Sequence, residues 1–206
     1  MALHRLSAIP YDLELRDIDS CLYRLDQVEG ATSQCCDLDT KLERDDSEPD
    51  AIAEKLNAQT RIFDHLEAFL AAWARLSLLL FPTKGTQFAA ERGNTLQQLL
   101  SLPANSVFAD RELRNGWIHF DERLDTAVQR NTAANRQRFI RSSQLTLTLR
   151  RTTLRIVEID TLLIHYHDRA GQPRCADLRE LRTALVQLQE RRKGVLTRLP
   201  TPSDAA

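Results

Sequence analysis

The sequence predicts a mainly α-helical fold: an antiparallel helical bundle with a small β-hairpin or meander and a C-terminal helix. Three observations lead there. Apolar residues recur at helical spacing over two long stretches joined by a short polar turn. Only 6 Gly and 7 Pro stand in 206 residues, clustered rather than spread, which speaks against an all-β or disordered chain. Near residue 145 the apolar period shortens from that of a helix to that of a strand.

The elements follow in chain order. From Ala8 to about Leu42 the stripe is Tyr11, Leu15, Ile18, Leu22, Leu25, Val28, Cys35, Leu38 and Leu42, with Pro10 in a first turn that tolerates it. Residues 43–50 read as a turn, after which Asp50 to Phe81 forms the second long helix and Pro82 stops it. A shorter helix is expected over Asn94 to Leu102, between Gly93 and Pro103. Asp110 is a good N-cap for the next, which runs past Leu124. Residues 131–143 read as polar and loose. Alternating Leu145, Leu147 and Leu149, then Leu154–Ile159 and Leu162–Tyr166, read as strands; Asp168–Gly171 is a turn and Pro173–Asp177 a short return strand. The last helix covers Asp177 to about Lys193, and the tail from Pro200 frays. Residues 1–142 are expected to form the bundle, and residues 143–206 the β appendage, final helix and tail.

Charge is balanced in sum and uneven in place. Lys and Arg number 28 against 29 Asp and Glu, a net of -1, which excludes a protein that coats nucleic acid by bulk charge. Residues 11–50 hold 13 acids and 4 bases, a surface for a basic partner or for the chain's own arginines. Those arginines are Arg130, Arg136, Arg138, Arg141, Arg150, Arg151 and Arg155, a stretch with no acid that could hold RNA phosphates. Charges throughout residues 1–20 leave no apolar leader, and Glu67 and Arg75 interrupt the most apolar run, so neither secretion nor a membrane span is expected. Cys21, Cys35, Cys36 and Cys175 lack metal-ligand spacing and read as reduced thiols of a cytoplasmic protein. No cofactor is implied: there is no Gly-rich phosphate loop, G-x-S-x-G elbow or H-E-x-x-H.

One segment could carry chemistry, Asp110–Asp125. On a helical wheel Leu113, Trp117, Phe120 and Leu124 gather on the core side. Arg111, Asn115, His119 and Glu122 lie roughly 120 to 200° from Trp117, with Arg114 on the flank. His119 is therefore an outward histidine, one turn after Asn115. The plain alternative is a solvated face on which Arg114 pairs with Asp121, Glu122 or Asp125.

Arg114-Asn115-Gly-Trp-Ile-His119 resembles the signature of the HEPN superfamily: Arg, a polar residue often Asn, three more residues, then His. The all-helical context over roughly residues 8–130 is similar too. The resemblance implies a metal-independent endoribonuclease whose paired motifs form one cleft in a homodimer, in a toxin–antitoxin or phage-defence setting with an antitoxin or other protein partner. It implies His119 and Arg114 as catalytic residues with Asn115 assisting. His119 would move a proton and Arg114 would stabilise phosphate charge. Arg111 and Arg123 would contact substrate. Members regulated by a nucleotidyltransferase carry a Tyr two residues after the His; here Asp121 stands there, which argues against the same modification. The alternative function is a non-catalytic helical interaction or scaffold protein. His165 and His167 share one face of a strand, a spacing that two-His metal sites use, but no third ligand is evident and no metal is expected.

Overall fold

The structure, a computed structural model, describes residues 15–43, 49–83, 86–110, 112–113, 115, 135–146, 153–168 and 170–196. Helix α1 (Arg16–Leu42) and helix α2 (Pro49–Leu80) form the expected hairpin. Spacing of three and four residues puts Ile18, Cys21, Leu25, Val28, Cys35 and Leu38 on one buried face of α1. The facing stripe of α2 is Ile62, Leu66, Phe69, Trp73, Leu76 and Leu80. Arg75 pairs with Asp17 near one end of the hairpin and Lys55 with Asp39 near the other, which fixes the antiparallel sense.

Helix α3 (Gln87–Leu99) corrects the range expected from the sequence, Asn94 to Leu102. Its cap is Thr86, whose hydroxyl accepts the Ala89 N–H at 3.3 Å. Gly93 lies inside the helix rather than before it, because α3 crosses the end of α2 there. A Cβ on Gly93 would stand 2.5 Å from Pro82 Cδ. Ser101 takes a φ of 50° immediately after the helix. A 3₁₀ turn follows at Val107–Ala109, and helical backbone resumes at Glu112 and Leu113.

Four strands, β1 (Asn135–Ile140), β2 (Thr153–Glu158), β3 (Leu163–His167) and β4 (Pro173–Asp177), form one sheet in the order β1-β2-β3-β4. The expected meander is β2-β3-β4, antiparallel throughout. Strand β1 corrects the loose segment expected at 131–143: residues 135–140 pair in parallel with β2. Its polar Asn-Arg-Gln-Arg start shows no alternation, and the apolar end anchors it. Ile140 is buried, and the Phe139 ring meets Phe63 edge-on at 4.6 Å between centroids. Ser142–Gln144 is a 3₁₀ turn, while the expected alternation at Leu147 and Leu149 lies outside the described residues. The turn at Asp168–Gly171 matches expectation, with Gly171 at φ 77°.

Helix α4 (Leu178–Leu196) closes the described chain and buries Leu178, Leu181, Leu185 and Leu188. One apolar cluster joins Ile18 and Leu25, Phe69 and Trp73, Val157 and Ile164, and Leu178 and Leu185, so it continues across residue 142. The fold is mainly α: a helical bundle with a small sheet on it and a C-terminal helix against α1. Among the described residues no helix is long and apolar enough to cross a membrane.

Candidate functional site

The described residues just before the Arg-x4-His motif, and Asn115 within it, are held firmly. Phe108, in the 3₁₀ turn, is buried and stacks on Trp73 of α2 with centroids 4.7 Å apart and rings inclined by 26°. Ser77, one turn further along α2, donates its hydroxyl to the Phe108 carbonyl at 2.7 Å. Asp110 then accepts the Glu112 N–H at 2.8 Å, so it caps the helix as its sequence position predicts. Leu113 is buried in the apolar cluster, and Asn115, roughly 200° round the helix from it, is half-buried. The phenol of Tyr166 on β3 is close enough to feel this helix start. Its pKa is raised above the ordinary tyrosine range, chiefly by burial and then by the negative charges of Asp110 and Glu112.

Of the expected site residues, Asn115 is therefore in helical backbone and off the core side. Arg111, Arg114, His119 and Arg123 lie outside the described residues.

The charged stretches meet each other. Arg182 of α4 pairs with both Asp26 and Glu29 of α1, and Arg192 reaches Asp19 at 3.1 Å. Arg141 lies 3.7 Å from Asp39 and 3.8 Å from Glu43, and also donates to the Cys36 carbonyl at 3.3 Å. Arg155, nearly buried in β2, pairs with Glu67 of α2 at 2.9 Å. Two arginines of the acid-free stretch are thus committed to the acidic hairpin, whereas Arg138 on β1 is exposed.

His165 is buried on the sheet face opposite Val157 and Ile164, and its Nε2 is hydrogen-bonded to the buried Glu158. The Thr161 hydroxyl donates to the other carboxylate oxygen of Glu158 at 2.7 Å. Among the described residues no three His, Cys, Asp or Glu side chains converge in a way that could hold a metal ion.

The chain matches no family model, and none of the curated proteins or solved structures is similar to it. Sequence reasoning missed the Glu158–His165 pair, since it weighed His165 only with His167 as a metal ligand. The usable signal was an isolated acid ending an apolar strand seven residues before a histidine on the next one.

Proposed function

We propose that the chain is a HEPN-like protein that cleaves RNA as a homodimer without a metal ion, with Arg114 and His119 as catalytic residues and Asn115 beside them. The observation that carries this reading is the orientation of the helical backbone at Glu112, Leu113 and Asn115. Asp110 caps it, Leu113 anchors it in the core, and Asn115 stays off the core side. A helix continued in that register would set His119 one turn beyond Asn115 on the same outward side.

The chemistry follows from the residue types. A histidine at position 119 can move a proton at the 2′-hydroxyl or the leaving oxygen. Arg114 keeps its charge and can meet the phosphate as negative charge builds in the transition state. Arg111 and Arg123 would hold flanking phosphates. One helix cannot surround a phosphate, so two motifs facing each other would be needed, and a toxin–antitoxin or phage-defence role would suit such an activity. The test is incubation of an RNA in EDTA with wild type, His119→Ala and Arg114→Ala; equal cleavage by all three overturns the proposal.

A second reading is a non-catalytic interaction or scaffold protein. It is favoured by the commitment of Arg141 and Arg155 to the chain's own acids, which leaves them poorly placed to bind phosphates. A monomer in light scattering, inactive on RNA, would support it.

A further inference from the structure

Between the loop 102–108 and helix α4 lies a groove of about 240 Å³. Leu102, Pro103, Val107 and Phe108 line it from the loop, and Leu188 lines it from α4. Phe108 is buried, whereas Val107 is 40% exposed, an apolar side chain that the fold leaves uncovered. Arg191 is the one charged residue on its lining, and no acid stands there.

That arginine is held in place from behind. Helix α3 ends with Ser101 in the left-handed region at φ 50°, and the Leu102 N–H returns to the Gln97 carbonyl at 2.8 Å. The carbonyls of Leu100 and Ser101 remain, and Nη1 of Arg191 donates to both, at 3.1 and 2.6 Å. Among the described residues Arg191 makes no other hydrogen bond or ion pair. Its Nη1 is therefore committed, while the donors of its Nε–Nη2 edge are not. That edge is the planar two-donor fork that fits a carboxylate.

We propose that this groove binds a small monocarboxylate with an apolar tail. The carboxylate sits on the Nε–Nη2 edge of Arg191, and the tail lies along Leu102, Val107 and Leu188. The volume falls below the roughly 300–1,000 Å³ of pockets for drug-sized ligands, so the tail is short, on the order of six carbons. One base and no acid match a single negative charge; a dianionic phosphate would leave one charge unmet.

Hexanoate is the probe, titrated against the intact chain by ligand-observed NMR, beside hexanamide, which has the same shape and no charge. Hexanoate should bind saturably and about tenfold or more tightly than hexanamide. Arg191→Gln should remove that advantage. Because Arg191 also holds the end of α3, Val107→Asp gives a second test at an exposed position. It should weaken hexanoate by about tenfold with circular dichroism unchanged. Lys193→Gln removes an exposed base two residues along α4 and should bind like the native chain. No saturable binding of hexanoate overturns the proposal, as does equal binding of hexanoate and hexanamide, or undiminished binding by Val107→Asp. A loss in Lys193→Gln equal to that in Arg191→Gln traces the effect to net charge and overturns it too.

Discussion

Replacing Phe108 with Ala tests whether the turn before Asp110 is anchored on α2 as the structure shows. Phe108 is 2% exposed and stacks at 4.7 Å on Trp73, which has no exposed surface. The Ser77 hydrogen bond goes to the Phe108 backbone carbonyl and survives the substitution, so the change isolates the ring. Removing a phenyl group from such a place forfeits its transfer free energy and leaves a cavity beside a rigid indole. The expected loss is about 3–5 kcal/mol. Urea titration should show a lower midpoint with an unchanged slope. Ser77→Ala, which strips the hydrogen bond and keeps the ring, should lose only about 1–2 kcal/mol. A loss below about 1 kcal/mol in Phe108→Ala would refute the packing described, because no buried aromatic ring can be removed so cheaply without being solvated already.

Two glycines in helices should respond oppositely to Ala. At Gly30 nothing lies within 4 Å of the new Cβ, and thermal unfolding should show a gain of about 0.5–1 kcal/mol. At Gly93 the Cβ would meet the Pro82 ring at 2.5 Å, and the same substitution should destabilise despite its better helix propensity. Arg182→Met breaks the pairs to Asp26 and Glu29 at a partly exposed site; it should cost no more than about 1 kcal/mol, shrinking further in high salt. Asp168 accepts from the Gln172 and Ala170 N–H groups and from Arg174, and these, Gln172 first, hold its pKa below the ordinary carboxylate value. Below about pH 4 the unfolded chain binds the proton first, so this contribution is complete above that pH and fades as pH falls through the lower folded pKa. Asp168→Asn should therefore flatten the acid limb of the stability–pH curve while leaving its slope near neutrality unchanged.

The helical hairpin could be read from the sequence because both partners carry a long stripe of period near 3.6 and lie next to each other in the chain. Ile18, Leu25 and Val28 face Leu66, Phe69 and Trp73 through local pattern alone. The meander β2-β3-β4 was legible for the same reason, with Gly171 marking its tight turn. Strand β1 was not, since Asn135 to Arg138 show no alternation and the strand's pairing with Thr153–Glu158 is parallel and non-local. Gly93 misled the placement of α3 because a helix breaker in sequence is, in three dimensions, the place where Pro82 comes close. At the candidate site, the Asp110 cap and the inward Leu113 were legible from the wheel. The contributions of Ser77, Trp73 and Tyr166 were not, because each comes from a distant part of the chain.

The central claim is that His119 moves a proton during attack by a 2′-hydroxyl. The most direct measurement is the cleavage rate of one RNA in EDTA, set beside the same sequence with deoxyribose at the cut site. Wild type should cut the RNA and spare the deoxy substrate, and His119→Ala should lower the rate by about 10²–10⁴-fold with its circular dichroism unchanged. Cleavage of both substrates, or a His119→Ala rate equal to wild type, would contradict it.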